Sequence, residues 1–337
     1  MAAYPPVGQM PPPGLVVFAL ASALAAAWVW WDGRARFPSP TGGLGVWVAG
    51  TLLALPVFLP LYLLAARPPG RVTRCPACGR LTLSHRAACL HCAHPLAFDA
   101  PPDRWGLGEA VGVAVVFMVT LPVVVQALGL EATPTLGPLS AVAVIQNGLF
   151  VILALYVVRR RYRQPASAVG LSLRGWQRLV AVGVAVGVAT VPVSVGAEHL
   201  AVRAIGLLVG PHRAEAMAEA EHARDVLAGI LRQPLSGVEL AWVLLLVCVL
   251  VPVGEEIFFR GLLYGALRPW SSVGAAVVSA VYFAAVHQQV VHFLPISLLG
   301  VVLAAVYGWT GSLVAPMTVH GINNLVAVLA ILNNWNL

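Results

Sequence analysis

The chain reads as an all-α polytopic membrane protein, a bundle of eight to nine transmembrane helices with a small cytoplasmic zinc ribbon. Of its 337 residues, 59% are hydrophobic and only 10% charged, with a mean hydropathy of +0.86. Soluble domains carry about 25% charged residues. Four of the five cysteines form two Cys-x-x-Cys pairs in one polar loop. Carboxylates, imidazoles and an arginine recur inside three apolar segments of the C-terminal third.

Nine stretches are apolar and long enough to span or nearly span: residues 14–31, 44–66, 106–130, 140–158, 177–196, 238–267, 273–291, 294–311 and 313–333. About 20 residues cross a hydrocarbon core of ~30 Å. Two of the last three are short, so eight spans with one re-entrant helix is the other count. Met1 to Gly14 lacks the charged n-region of a signal peptide, so the first helix is expected to be retained. These segments divide the chain into an N-terminal transmembrane hairpin (1–66), a ribbon loop (67–104), membrane helices with an amphipathic loop (105–234) and a set of catalytic helices (235–333).

The formal charge of +7 comes from arginine alone, with no lysine anywhere, which we read as the coding bias of a GC-rich bacterial genome. The arginines punctuate the spans instead of clustering beside aromatics on a polar domain, so nucleic acid is excluded as a partner. Loop 67–104 holds Arg67, Arg71, Arg74, Arg80, Arg86 and Arg104, and loop 159–178 holds Arg159, Arg160, Arg161, Arg163, Arg174 and Arg178. The positive-inside rule puts both in the cytoplasm of a bacterial plasma membrane. Counting spans then puts the N-terminus there too, and leaves Arg34 and Arg36 on the wrong side. The 159–163 run is a topogenic anchor suited to anionic lipid. Glu109 and Glu239, at span ends, are expected to face headgroups.

Cys75-Pro-Ala-Cys78, ten residues, then Cys89-Leu-His-Cys92 is a pair of knuckles suited to one tetrahedral zinc. A reducing cytoplasmic loop disfavours the alternative of two disulfides. Four thiolates leave no open position for water, so the ribbon is structural and serves recognition or regulation, as by docking a protein partner. His85, His91 and His94 are bystanders in this reading.

The intramembrane residues are Glu255-Glu256-Ile-Phe-Phe-Arg260, Phe283-Ala-Ala-Val-His287 and His320-Gly-Ile-Asn-Asn324. A charge at bilayer depth costs at least ~2.5–3.5 kcal/mol, so these groups need a role. Residues four apart share a helix face, pairing Glu256 with Arg260, Phe283 with His287 and His320 with Asn324. Glu255 lies about 100° around the helix from Glu256, so the two carboxylates are not expected to serve one point. Helix rise puts Glu255 and His287 at one depth and leaves His320 ~10 Å short of it. Pro252 and Pro316 free backbone carbonyls, which a membrane tolerates only where another group satisfies them. A carboxylate and an imidazole can activate a water against an amide, and a carboxamide can stabilise the oxyanion. Zinc on Glu255, His287 and His320 could activate the water instead. A proton or ion pathway, or plain structural pairing, would use the same residue types.

The three motifs together resemble the CPBP family of intramembrane proteases, which includes CAAX prenyl endoproteases and bacteriocin-processing or self-immunity proteins. The resemblance covers about residues 235–333. It implies an endopeptidase acting on a peptide or a membrane-protein segment in or near the bilayer. Glu255 is then the water-activating base with His287 its partner, His320 and Asn324 the oxyanion pair, and Glu256 and Arg260 supports. Members have been called metalloproteases, with a metal-free, glutamate-activated water as the competing account. The alternative function is a non-catalytic immunity or regulatory protein that docks its partner through the ribbon.

Residues 211–233 hold His212, Arg213, Glu215, Glu219, Glu221, His222, Arg224 and Asp225. An acidic-His cluster of this kind could bind a metal, but we read the segment as a solvated amphipathic helix on the outer surface, and His292 as an interfacial bystander.

Overall fold

Each of the nine apolar stretches contains helix in the computed structural model, which describes residues 13–38, 43–97, 104–127, 135–223 and 225–335. The Pro-rich start and Arg224 lie outside the described residues. Among those described, six helices are long and apolar enough to cross a membrane: Val16–Gly33, Leu136–Arg161, Trp176–Val209, Gly237–Leu267, Phe293–Thr310 and Val314–Asn333. Three apolar helices are shorter: Leu55–Ala66, Leu107–Val119 and Ser272–Val286. The chain divides into two units, residues 1–102 and 103–337.

In the first unit, α1 (Pro13–Gly33) is followed by α2 (Gly45–Leu53) and α3 (Leu55–Leu61), which runs on as a π turn, Tyr62–Ala66. A straight helix would hold Trp47 and Tyr62 ~22 Å apart, yet their ring centroids are 6.2 Å apart. The chain reverses at Ala54 (φ −143°, ψ 60°), just before Leu55-Pro56, where the proline disfavours helix for the residue before it. Gly50 makes the reversal tight, because a Cβ there would lie 2.1 Å from the Phe58 ring. Segment 44–66 is therefore a helical hairpin and not one straight helix, which corrects its reading as a span. Hydropathy cannot see such a reversal.

The end of α1 meets the end of that hairpin. Asp32 accepts from Arg36 Nε (2.9 Å), Arg67 Nε (2.8 Å) and the Tyr62 hydroxyl (2.7 Å), while Arg36 Nη1 donates to Pro68 O at 2.6 Å. Arg34 and Arg36 thus share the face from which the ribbon loop departs.

The second unit holds α4 (Leu107–Ala127), α5 (Leu136–Leu155, with a π turn Tyr156–Arg161), α6 (Trp176–Val209), α7 (Pro211–Ala223) and α8 (Val226–Leu231). One long interrupted helix follows: α9 (Gly237–Leu245), a π segment Leu246–Leu250, α10 (Val251–Glu256), a second π segment Ile257–Tyr264, and α11 (Gly265–Leu267). It is packed by α12 (Ser272–Val286), α13 (Phe293–Thr310) and α14 (Val314–Asn333). Aromatic stacking fixes the second π segment in the interior: Phe150 lies 4.7 Å from Phe117 and 4.6 Å from Phe258, centroid to centroid. At one end the chain after α5 ties down the α13–α14 turn through Leu313 N–H to Gly170 O (2.9 Å). Glu109 sits at this end too, but buried, accepting from Arg161 Nε (3.2 Å) and the Tyr162 hydroxyl (2.9 Å). That corrects its placement among headgroups; the desolvation of the buried carboxylate is offset by its two partners. Glu239 instead closes a capping box with Ser236 at the start of α9. With 34 residues, α6 reaches ~51 Å and overshoots a ~30 Å core, carrying α7 to the opposite end of the unit.

Candidate active site

The site grows from a defect in the long helix. In the first π segment the Val251 N–H bonds Leu246 O, five residues back. The same register would pair Val247 O with residue 252, which is proline and has no N–H. Asn324 of α14 supplies the missing donor: its Nδ2 lies 2.8 Å from Val247 O. The expectation that a freed carbonyl needs an outside partner is met here by a named residue. π segments recur at functional sites, and here two of them bracket Glu255-Glu256.

Those carboxylates are buried, Glu256 completely. Glu256 Oε1 accepts from Arg260 Nη1 at 2.8 Å and from His320 Nδ1 at 3.0 Å. Arg260, itself wholly buried, also donates to Gly300 O (3.2 Å) and stands 4.7 Å over the Phe283 ring. With Nδ1–H committed to Glu256, the Nε2 lone pair of His320 faces Glu255 Oε2 at 3.8 Å, beyond hydrogen-bond length. His320 therefore lies between the two carboxylates and addresses each with a different nitrogen. This overturns the expectation that carboxylates 100° apart cannot serve one point. His320 also reaches the level of both carboxylates, so the depth mismatch expected from helix counting is absent.

His287 lies elsewhere. It is exposed at the end of α12, its Nδ1 2.7 Å from Phe283 O. Among the described residues no hydrogen bond or ion pair joins it to Glu255; it shares with His320 only the Phe283 ring, at 4.8 and 5.7 Å. His320, not His287, is the imidazole beside Glu255. The donor atoms of Glu255, His287 and His320 also fail to gather within the 4.8 Å that the ribbon thiols achieve, so these three do not fit a shared zinc.

Asn147 on α5 carried no signal in the sequence. Its Oδ1 is buried without a partner while Nδ2 donates to Ala143 O at 2.8 Å. It overlies Gly254, where a Cβ would come 2.3 Å from Oδ1, so only glycine admits it beside Glu255. A cavity of about 660 Å³ opens among Glu198, His222 and His292 and reaches Asn323 and Asn324. Of the six residues singled out in sequence, Asn324 alone lines it.

In the first unit, β1 (Val72–Arg74) pairs antiparallel with β2 (Leu81–Leu83) and holds the cysteine knuckles. Gly79 N–H bonds Cys75 O at 2.9 Å, and Ala93 N–H bonds Cys89 O at 3.0 Å. All four cysteines are free thiols. The Sγ atoms of Cys75 and Cys92 are 3.7 Å apart and those of Cys78 and Cys89 3.8 Å apart. Tetrahedral zinc with ~2.3 Å bonds has sulfur–sulfur edges of ~3.8 Å, so the thiols fit. The His91 backbone N–H leads in pulling the Cys89 thiol down to about 6. His91 Nε2 itself lies 3.0 Å from Leu81 O, outside the ligand set.

Residues 237–326 match the family model described as type II CAAX prenyl endopeptidase Rce1-like. That segment spans Glu255 through Asn324, and the match supports the resemblance of this part of the chain to the CPBP family. Asn147, Glu198 and His222 lie outside it. No curated protein and no solved structure matches the chain.

Proposed function

We propose that the chain is an intramembrane endopeptidase that hydrolyses an amide bond in a peptide or membrane-protein segment with a metal-free, carboxylate-activated water. One observation carries the reading: Glu256 holds His320 so that Nε2 faces Glu255 at 3.8 Å. A water off that line reaches both groups. It gives one proton to Glu255 and is oriented through the other by His320 Nε2. The hydroxyl oxygen adds to the carbonyl carbon. When the tetrahedral species collapses, the C–N bond breaks and Glu255 returns its proton to the leaving amine, giving a carboxylic acid and an amine. Asn324 spends one amide hydrogen on Val247 O and has the other for the oxyanion. Arg260 holds Glu256 in position through their 2.8 Å ion pair, and exposed His287 contacts substrate at the rim. A complete set of buried polar groups, with Glu255 Oε2 left open to a water, supports an enzyme over a docking protein, which has no use for it.

The ribbon holds one zinc through Cys75, Cys78, Cys89 and Cys92 and serves as a folded recognition element. Arg34, Arg36, Arg67 and the ribbon arginines share a face, which the positive-inside rule assigns to the cytoplasm of a bacterial plasma membrane; the Pro13 end of α1 is then external. The test of function is profiling of new N-termini in membranes of cells expressing the chain or an empty vector. Chain-dependent termini in membrane-associated proteins support the reading; identical profiles contradict it.

A further inference from the structure

The polar cluster at the far end of the second unit is the strongest group that the hydrolytic reading does not use. Glu198 comes from α6, His222 from α7 and His292 from the turn before α13. Their ligand atoms all lie within 4.8 Å of one another. Glu198 Oε1 is 3.6 Å from His222 Nε2 and 3.7 Å from His292 Nε2. Both separations are too long for hydrogen bonds. They are close to the ~3.4 Å edge of a tetrahedron with ~2.1 Å bonds to nitrogen and oxygen. The three groups are therefore spaced around a common point.

A second shell is already built. The Nδ1 of His292 lies 3.0 Å from Glu221 Oε2, so the ring donates there and turns its Nε2 lone pair toward Glu198. Glu221 is in turn fixed by the backbone N–H groups of Val290 (2.6 Å) and Val291 (3.0 Å). A carboxylate on the far nitrogen is the arrangement that sets tautomer and orientation in histidine metal ligands. The cluster also opens on the cavity of about 660 Å³ that Asn324 lines, so a coordination position faces that space.

We propose that Glu198, His222 and His292 bind a divalent cation of the zinc class, with Glu221 as the positioning residue for His292. Three protein ligands leave the fourth position for water or for a carboxylate or carbonyl oxygen of a molecule entering the cavity. The solvated-helix reading of 211–233 and the bystander reading of His292 are both replaced. The inference does not rest on the hydrolase reading and would survive its failure.

The test is zinc stoichiometry on the purified full chain in lipid nanodiscs, paired with Co²⁺ spectra that report thiolate coordination. The wild type should hold two zinc ions per chain. His222→Ala, at a side chain 57% exposed and so tolerant of change, should hold one, as should Glu198→Gln. In both, the thiolate-to-cobalt charge-transfer band of the ribbon should be unchanged. Cys75→Ser/Cys78→Ser should hold one zinc without that band. Glu221→Gln should weaken the thiolate-free site about 10–100-fold. A wild type with a single zinc, or a second zinc that persists in both His222→Ala and Glu198→Gln, overturns the proposal.

Discussion

The side-chain amide of Asn324 donates to Val247 O at 2.8 Å, the backbone acceptor that Pro252 leaves without a donor in the π register. The pair joins α14 to the helix that carries Glu255-Glu256, so a backbone defect and a site residue support each other. Removing the amide should therefore cost stability as well as chemistry. Asn324→Ala is expected to lose ~1–3 kcal/mol of unfolding free energy by stranding the carbonyl. In a Pro252→Ala background, which restores a backbone donor, the loss should be smaller. A denaturation cycle of the four proteins measures the coupling; equal losses in both backgrounds would contradict this account of the pair.

Glu256 is the hub of the buried charges. Glu256→Gln should destabilise the bundle by ~3–5 kcal/mol, because Arg260 is left buried without its counter-charge. Replacing both, as Glu256→Gln/Arg260→Met, should recover much of that loss while leaving His320 unheld. Thermal unfolding in detergent reads the comparison, and a single variant as stable as wild type would show that the ion pair does not carry this load.

Asn147 and Gly254 make a steric pair across α5 and α10. Gly254→Ala should push the helices apart and cost ~1–3 kcal/mol, since the new Cβ would meet Oδ1 at 2.3 Å. Gly254→Ala/Asn147→Ala should be closer to wild type. If the double variant is no more stable than Gly254→Ala, contact with Asn147 is not why residue 254 is glycine.

Much of this was legible in sequence, and the failures have physical causes. Apolar runs located all six helices of membrane-crossing length, because burial in lipid demands them whatever the topology. They could not show that 44–66 turns back, since both limbs of a helical hairpin are as apolar as a span; Leu55-Pro56 was the only local sign. The Glu256–Arg260 pair followed from i, i+4 spacing. The contact of His320 with both carboxylates did not, because counting residues from a turn assumes straight, regular helices with aligned turns. Asn147 and the Glu198–His222–His292 cluster assemble residues from helices with no shared motif, which spacing rules cannot join.

The ribbon should be separable from the membrane helices. Cys75→Ser/Cys78→Ser is expected to lose the four-thiolate metal, and with it the ~10–16 kcal/mol of apparent binding energy that folds so small a module. Residues 103–337, a unit by themselves, should still assemble. Limited proteolysis checks this: cutting confined to 71–97 agrees, and general digestion of the helices does not.

The central claim is that Glu255 takes the proton of the attacking water. It is tested most directly by turnover of a peptide spanning a cleavage site found by N-terminal profiling, with wild type and Glu255→Gln side by side. The amide keeps the shape of the carboxylate but cannot act as the base. Turnover should fall ~10²–10⁴-fold with peptide binding and unfolding temperature unchanged. Glu255→Gln that is stably folded and cleaves at the wild-type rate would contradict the account.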